Sequence, residues 1–322
     1  EVALNRATTE GLAMVYSGLR LPAGSEILVT THDHYSHHES VRLAALRTGS
    51  KVRQVALYDR GAEANTEECV ARLNAAIRPE TRVVGATWVH SSTGVRLPIR
   101  ELSAVVAAAN RGRGDEDRIL FVVDGVHGFG AVDETVGEMG CDFFCAGTHK
   151  WIFAPRGTGL VWGRKEAWAR LEPTVPAFEL GPYQAWLAGE TPGPTRAAWM
   201  SPGGFHAYEH MWAVPAAFEF HKAIGRARIA ARIQELNHQI KEGLAGMSHV
   251  TLHTPRGGDM SAGIVSFEVA GLTEGEVVES LLKKRILAST SPYNPSYARL
   301  SGSLLNTPGE VDTALDAVAG LA

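Results

Sequence analysis

Cysteine is scarce in this sequence, and long apolar runs and an excess of positive charge are absent. The three cysteines, Cys69, Cys141 and Cys145, are too few for a disulfide framework and favour free thiols in a reducing compartment. No run approaches the roughly 18 apolar residues of a membrane-spanning helix. With 31 Lys plus Arg against 35 Asp plus Glu, nothing marks the chain as a nucleic-acid binder. We therefore expect an ordered globular protein that binds neither nucleic acid nor membrane.

The start of the sequence bears on the compartment. Residues 1–6 contain neither an initiator Met nor the basic stretch that opens a signal peptide. We expect a cytoplasmic protein, or a periplasmic or exported one if a twin-arginine signal has been removed from the N-terminus.

Hydrophobic periodicity divides the first 165 residues into alternating helices and strands. Helical patterns cover 9–20, 36–48, 66–77 and 98–111. Intervening β-rich runs such as Ile-Leu-Phe-Val-Val at 119–123 are apolar at nearly every position, which is typical of parallel strands covered by helices on both faces. This predicts an α/β fold with a large, mainly parallel sheet. The predicted strands are 26–30, 51–57, 82–89, 119–123, 142–146 and 159–162.

The second half of the chain has a different pattern. Residues 172–204 are rich in Pro, Gly and aromatic residues, and they predict a long irregular connection. We expect a large α/β domain over 1–205 and a smaller α+β domain over 206–322, with 206–245 as linking helices. The later elements are predicted as helices at 206–223, 225–245, 274–284 and from 308, and as strands at 263–269, 286–289 and 297–301.

Two ionisable residues end neighbouring predicted strands. Asp124 closes one apolar strand, and Lys150 follows the next, beside His149. Ligands of open parallel sheets bind at the carboxyl ends of the strands, where both residues are expected. An acid and an amine placed there alone form a simple ion pair more often than a catalytic site.

The residues around Asp124 and Lys150 favour a catalytic site over a simple ion pair. The spacing of Asp124 and His127, followed by Thr148-His149-Lys150 and by 156–159, resembles the pyridoxal-phosphate (PLP) signature of the class V aminotransferase family. This fold-type-I family includes cysteine desulfurases and isopenicillin N epimerase, and the resemblance extends over nearly the whole chain. It is strongest to the isopenicillin-N-epimerase-like branch, some of whose members act in secondary metabolism.

The resemblance implies roles for these residues. Lys150 would bond to the cofactor aldehyde and later move the substrate's α-proton, which makes it the main catalytic residue. Asp124 would hold the pyridine nitrogen protonated so that the ring withdraws electrons. His127 would contact the phenolic oxygen of the cofactor, and His149 would help to hold its phosphate.

Thr8 and Thr9 precede a predicted helix. Their simplest interpretation is a helix cap, worth about 1 kcal/mol. A helix N-terminus with free amides and two hydroxyls is also an anion site. The family places its phosphate loop here, so we predict both threonines as phosphate ligands.

A histidine cluster follows the strand that ends at Thr30. His32, His34 and His37 could begin a zinc site of the metallo-β-lactamase type, but Ser36 stands where that site needs an acid. A zinc hydrolase is therefore a remote alternative, and we predict no metal ligands. The resemblance instead aligns His34 with the aromatic residue that stacks on the pyridine ring. His37 is predicted to be an ordinary polar position on the next helix.

The remaining predicted site residues are implied by alignment with the family. Ser91 falls where relatives carry a cofactor-contacting Asn, and Arg299 falls where they keep the arginine that binds the substrate α-carboxylate. A planar guanidinium suits a carboxylate, which predicts an amino-acid-type substrate. Gly203 and Gly204 align with the segment that reaches the phosphate of a neighbouring subunit, which predicts a homodimer.

The reaction type stays open at this point. Cysteine desulfurases need a mobile cysteine shortly before the carboxylate-binding arginine, and residues 285–298 contain none. We predict a PLP-dependent epimerase or aminotransferase acting at the α-carbon, with a C–S lyase or desulfurase-like enzyme as the alternative. A catalytically silent scaffold is a further alternative, and the presence of Lys150, Asp124 and Arg299 together argues against it. The candidates for a second acid are Tyr183, His206 and Tyr293.

Overall fold

Strands and helices alternate along most of the chain. The computed structural model describes residues 1–322. The strands are β1 Val2–Asn5, β2 Glu26–Thr30, β3 Lys51–Val55, β4 Thr81–Thr87, β5 Leu120–Asp124, β6 Phe143–Gly147, β7 Gly159–Gly163, β8 Val250–Leu252, β9 Val265–Val269, β10 Ser289–Thr290 and β11 Ala298–Leu300. The helices are α1 Thr8–Gly18, α2 Tyr35–Thr48, α3 Thr66–Ala76, α4 Ile99–Ala109, α5 Val136–Met139, α6 Leu180–Ala188, α7 Ala197–Met200, α8 Tyr208–Ile224, α9 Arg226–Ala245, α10 Glu274–Lys283 and α11 Pro308–Ala319.

A seven-stranded sheet forms the larger part of the molecule. Its strand order is β1-β7-β6-β5-β4-β2-β3. The five strands from β6 to β3 run parallel, whereas β7 and β1 complete one edge in antiparallel orientation. Strands β2, β5 and β6 are buried at every position. This explains their continuous apolar sequences, because helices cover both faces.

Each face of the large sheet has its own core. Helices α1 and α2 pack on one face around residues such as Leu12, Val41 and Val122. Helices α3 and α4 pack on the other face with residues such as Leu73 and Leu102. The polar side chains at the carboxyl ends of β4, β5 and β6 are therefore held by a rigid frame.

A smaller antiparallel sheet follows in the second half of the chain, with the order β10-β11-β9-β8. Helices α9, α10 and α11 bury their apolar sides against it. The predicted fold class, a large mainly parallel sheet followed by a smaller α+β part, is confirmed. The domain boundary at residues 205 and 206 stays a prediction.

Several local differences separate the predicted elements from the observed ones. Strands β1 and β8 and the short helix α5 were not predicted. The segment 172–204 was expected to be irregular, but it contains α6 and α7. Pro182 lies in the first turn of α6, where a helix has no backbone partner for the missing N–H and therefore tolerates proline. No helix of residues 1–322 is long and apolar enough to cross a membrane.

Candidate active site

A cleft of about 520 Å³ opens at the carboxyl ends of the central strands. It lies where ligands bind in open parallel sheets. The cleft brings together residues that are far apart in the sequence, from Thr8 at the start of α1 to Arg299 in β11. Nine of the predicted site residues line it: Thr8, Thr9, His34, Ser91, Asp124, His127, His149, Lys150 and Arg299.

Asp124 is the last residue of β5, and only 1% of its surface is exposed. Its Oδ1 accepts a hydrogen bond from the amide of Val126 at 3.0 Å, and its Oδ2 accepts none from the chain. Burial raises the pKa of the Asp124 carboxyl, while the nearby His37 and Lys150 act in the opposite direction. Asp124 therefore offers a free, buried carboxylate oxygen to a protonated ligand atom.

Lys150 lies in the turn after β6, with its Nζ 2.8 Å from Nε2 of His127. Burial lowers the pKa of the Lys150 amine, and the positive charge of Arg299 lowers it further, against the opposing effect of Asp124. Burial, with the charge of Lys150, lowers the pKa of His127 well below its ordinary value. A lysine with a lowered pKa is more often a free amine and therefore a better nucleophile and base.

Unpartnered polar atoms gather at the N-terminus of α1. The Thr8 hydroxyl and Nδ1 of His149 are both buried without a hydrogen-bond partner. Both lie over Gly147, because a Cβ at Gly147 would stand 3.0 Å from Nδ1 of His149 and 3.3 Å from the Thr8 hydroxyl. The N-cap residue Ala7 supplies no side-chain cap. This end of the cleft has the donors of an anion site and fits the phosphate of PLP.

His34 is the N-cap of α2, and its Nδ1 accepts a hydrogen bond from the amide of Ser36 at 3.2 Å. The imidazole is half-buried, and the ring of Tyr293 meets it edge-on with the centroids 6.0 Å apart. Burial lowers the pKa of His34, so the ring is neutral at neutral pH. A fixed, uncharged ring in the cleft is suited to stacking on a flat aromatic ligand.

Arg299 reaches the cleft from β11 of the small sheet. Its Nη1 donates to the carbonyl of Ser91 at 2.6 Å, and its Nη2 donates to the carbonyl of Thr290 at 2.8 Å. Nε of Arg299 is buried and has no partner. The guanidinium is thus held in place by two backbone groups and keeps donors for a carboxylate.

A second chamber of about 300 Å³ adjoins this cleft. The two share His127, Lys150 and Arg299, so Lys150 lies between them. The rest of the second chamber is lined by aromatic and apolar side chains and by serines, among them Trp151, Ile264 and Ser301. This lining can accommodate part of a ligand beyond the cofactor cleft.

Two predicted residues lie outside the cleft. Gly203 donates its amide to the carbonyl of Pro176 at 2.9 Å, and the carbonyl of Gly204 accepts from the Tyr208 hydroxyl at 2.8 Å. The amide of Gly203 is therefore occupied within its own chain. The predicted contact of these glycines with a neighbouring subunit stays a prediction.

The three candidates for a second acid differ in position. Tyr293 contacts the cleft, because its hydroxyl lies 2.8 Å from the Ser91 hydroxyl. Tyr183 is on the exposed side of α6, and His206 packs against Tyr208 at a centroid distance of 4.3 Å. Among the three, Tyr293 alone is placed next to residues that line the cleft.

The histidines of the zinc alternative point to different neighbours. His32 stacks on Tyr58, His34 caps α2, and His37 is hydrogen-bonded to the hydroxyl of Tyr16. No group of three or more His, Cys, Asp or Glu side chains in residues 1–322 is arranged to hold a metal ion. The prediction that His37 is an ordinary polar position was wrong, because it is fully buried.

The cysteines are all buried. Burial raises the pKa of the Cys69 and Cys141 thiols to about 12, and raises that of the Cys145 thiol well above its ordinary value. A buried thiol with a raised pKa is a poor nucleophile. None of the three thiols lines the cleft.

Sequence analysis missed Tyr16 and Asp33, which lie buried behind the cleft. Asp33 accepts backbone hydrogen bonds at 2.8 Å from Thr30 and from Thr87. It thereby joins the loop before His34 to the end of β4. An acid placed directly between a strand end and a helix cap was the available signal for Asp33, whereas Tyr16 gave none.

Comparison with known proteins agrees with this geometry. Isopenicillin N epimerase of Streptomyces clavuligerus is 30% identical over 99% of this chain and 80% of its own length. A probable cysteine desulfurase of Chlamydia trachomatis is 25% identical over 86% of this chain and 65% of its own.

Solved structures share the fold. The complex of the cystine C–S lyase C-DES with cysteine persulfide has a TM-score of 0.85 at 24% identity, covering 99% of this chain and 81% of that one. The cysteine desulfurase of Thermococcus onnurineus has a TM-score of 0.84 at 22% identity, covering 100% and 79%. The model of the family "Aminotransferase class-V" matches residues 1–293. This chain therefore belongs to the class V aminotransferase family of PLP-dependent enzymes.

Proposed function

We propose that this chain binds PLP in the cleft and acts at the α-carbon of an amino acid or an amino-acid-containing metabolite. The reaction is epimerisation, as in isopenicillin N epimerase, or amino-group transfer. The observation that carries the proposal is that Lys150, Asp124 and Arg299 line one cleft. An amine, a buried acid and a carboxylate-binding cation are the groups that such a reaction requires.

The chain's own residues would hold the cofactor at both ends. The Thr8 hydroxyl, the first amides of α1 and His149 would bind the phosphate, together with Thr9 at the rim of the cleft. Asp124 would hold a proton at the pyridine nitrogen, and His34 would stack on the ring. His127 would contact the phenolic oxygen, and Ser91 lies within the same cleft.

PLP supplies an aldehyde that captures the substrate amine and a ring that withdraws electrons from the α-carbon. Arg299 would bind the α-carboxylate, which orients the α-proton with respect to Nζ of Lys150. Burial and Arg299 lower the pKa of Lys150, which increases the fraction of its amine that is present as the free base. A second proton donor is needed to invert the α-carbon, and Tyr293 is the candidate placed against the cleft.

The cysteines argue against a desulfurase. Persulfide formation needs an accessible thiolate, and all three thiols of this chain are buried, away from the cleft. A C–S lyase does not need such a thiol and is therefore the alternative that the experiment must separate.

The test is a proton NMR time course in D2O with PLP and a panel of amino acids and amino-acid-containing metabolites, including thioethers and peptides that contain α-aminoadipate. Loss of the α-proton signal with the side chain intact supports the proposal, and chirality or oxo-acid formation separates epimerisation from transfer. Release of a β-substituent with pyruvate would show a lyase and contradict it.

We also propose a homodimer. Helix α8 has 17 residues, of which only His221 is buried. The surface of α6, α8 and the segment between them is rich in exposed aromatic rings: Phe178, Trp186, Phe205 and Trp212 are each at least 70% exposed. Exposed apolar surfaces of this kind mark protein contacts, and a second copy of the chain is the partner that family membership favours.

A further inference from the structure

An array of three side chains lies buried beside the cleft without lining it, and a hydrogen bond joins two of them, Tyr16 and His37. The Tyr16 hydroxyl of α1 is 2.7 Å from Nε2 of His37 on α2, and Nδ1 of His37 is 3.9 Å from Oδ2 of Asp33. All three side chains are at most 2% exposed. Nδ1 of His37 has no hydrogen-bond partner. The roles proposed above do not use any of these groups.

The pairing of β4 with β5 places this array next to Asp124. Gly85 is paired with Val122 and Thr87 with Asp124, so the four residues face the same side of the sheet. A Cβ at Gly85 would stand 2.3 Å from the Tyr16 hydroxyl and 2.7 Å from Nε2 of His37. The phenol and the imidazole therefore fill the space over Gly85, one strand away from β5.

Asp33 extends the array to the same strand pair, since its Oδ1 accepts the amide of Thr87, the register partner of Asp124. Two carboxyl groups, Asp33 and Asp124, thus lie near this strand pair, and the negative charge of Asp33 raises the pKa of Asp124.

The two carboxyl groups are not equally well supported. Asp33 accepts two backbone amides, from Thr30 and Thr87, whereas Asp124 accepts one, from Val126. Burial alone would raise the pKa of Asp33, but the nearby His37 and His90 and the Thr87 amide hold it below its ordinary value. Asp124 accepts fewer hydrogen bonds than Asp33. It is therefore the carboxyl that takes up a proton if the interactions that stabilise the two anions are weakened.

The environment of His37 determines where its proton lies. The charged and titratable groups that face it are Tyr16 from α1, Asp33 from the loop after β2, Asp124 from β5, and His34 and His38 on its own helix. Burial lowers the pKa of His37, so the imidazole is neutral at neutral pH. The carboxylate of Asp33 favours the tautomer with the proton on Nδ1, which leaves Nε2 to accept the Tyr16 hydroxyl.

We propose that His37 is a positioning residue for Asp124: it turns an N–H dipole to Asp33, and so allows Asp124 to remain an anion that serves the pyridine nitrogen. This inference rests on the proposed function for its effect on PLP. The effect of His37 on the ionisation of Asp124 does not depend on PLP. Without His37, the pKa of Asp124 rises, so that less of Asp124 is the anion that holds a proton at the ring nitrogen.

The test compares His37→Leu with Tyr16→Phe, which keeps both His37 and Asp33. The PLP dissociation constant of the full-length chain is measured from pH 6 to pH 9. In His37→Leu we expect weaker binding at the acid end of this range, by at most about tenfold for each unit by which the pKa of Asp124 rises. The difference should shrink as the pH rises, because Asp124 then ionises again. Tyr16→Phe should bind like the parent protein.

Two further variants keep the test decisive if His37→Leu does not fold. The side-chain amide of His37→Asn can stand where Nδ1 stands and direct an N–H dipole towards Asp33, whereas that of His37→Gln reaches the position of Nε2. We expect Asn to bind PLP nearly as tightly as the parent protein and Gln to bind more weakly. Equal binding of the two, or a pH profile of His37→Leu that matches the parent, would overturn the proposal. An equal change of the PLP dissociation constant in Tyr16→Phe would also overturn it, because the array would then serve only to connect α1 to α2.

A readout without the cofactor separates this inference from the proposed function. Carbon-13 NMR of labelled aspartate carboxyls in the cofactor-free protein should show a higher pKa for Asp124 in His37→Leu. If the parent protein does not bind PLP, the proposed function fails, and this titration still decides the role of His37. An unchanged Asp124 titration would contradict it.

Discussion

At the scale of single residues, the site depends on burial more than on direct ion pairing. Asp124, His127 and Lys150 each lie in surroundings that disfavour their charged forms, and charged neighbours modify the effect of burial. Perturbed ionisable groups that meet in one cleft are typical of catalytic sites.

Lys150→Ala tests the covalent role of the amine. Borohydride reduction of the PLP-loaded parent protein should leave a cofactor label on the peptide that contains Lys150, as seen by mass spectrometry. The variant should carry no label and should lose turnover, because no other amine lies in the cleft. Lys165→Ala removes an exposed lysine and should behave like the parent protein. A labelled Lys150→Ala protein would refute the assignment.

His90 gives the folded protein a titration in the acid range. It is fully buried and hydrogen-bonded through Nδ1 to the Tyr58 hydroxyl, and burial lowers its pKa to about 3. Between about pH 6.5 and pH 3 the unfolded chain therefore binds one proton more than the folded one at this residue. The free energy of unfolding should fall as the pH falls, by up to about 1.4 kcal/mol per pH unit from His90.

His90→Gln should reduce that dependence, as measured by urea unfolding of the cofactor-free protein at several pH values. His238→Gln, on the exposed side of α9, is the control and should leave the slope unchanged. An identical slope in His90→Gln and the parent protein would count against the role of His90.

At the scale of elements, the N-terminus of α1 has buried polar groups that suit an anion. These groups lack partners in the cofactor-free protein and therefore lower its stability. Thr8→Val removes a buried hydroxyl that has no partner, so the cofactor-free protein should be equally stable or more stable. PLP should nevertheless bind about tenfold more weakly, because a hydrogen bond to a charged phosphate is lost. Thermal unfolding and a PLP titration measure the two effects.

Thr254→Val is the matched control for this prediction. The Thr254 hydroxyl donates to the carbonyl of Thr93 at 2.6 Å and accepts the amide of Ser266 at 2.8 Å. The same substitution should therefore destabilise the protein by about 1–3 kcal/mol and leave PLP binding intact. If Thr8→Val and Thr254→Val behaved alike, the α1 terminus would not be the phosphate site.

Elements also show what the sequence could predict. Strands such as β5 and helices such as α3 were predicted to within two residues, because strict periodicity and buried apolar runs are local signals. The rule that parallel strands bind ligands at their carboxyl ends correctly brought Asp124 and Lys150 to one edge. The burial of His37 was not predictable, since it depends on the empty space over Gly85, on a strand 48 positions away.

At the scale of the whole molecule, the two sheets meet at the site. Arg299 of the small sheet donates to the carbonyl of Ser91, which follows β4 of the large one, and the two residues are 208 positions apart. Two residues so far apart form no periodic pattern in the sequence, so only the family resemblance predicted Arg299. The exposure of the aromatic rings on α6 and α8 likewise depends on the tertiary structure.

Trp212→Glu tests the proposed dimer. Sedimentation velocity should show the parent chain as a dimer at micromolar concentration, and the variant shifted towards monomer, because a charge in a buried apolar interface is costly. Leu46→Glu replaces an equally exposed apolar residue on α2 and should remain dimeric. A parent chain that is monomeric would refute the proposal, as would a variant that dimerises as well as the parent.

The burial of all three thiols has a practical consequence. The native protein should be inert to maleimides and other thiol-directed reagents, so it offers a blank background for labelling. One cysteine introduced on α6 or α8 could then carry a fluorophore or a spin label without removal of the natural ones. Distances between two such labels would follow the association of chains directly during turnover.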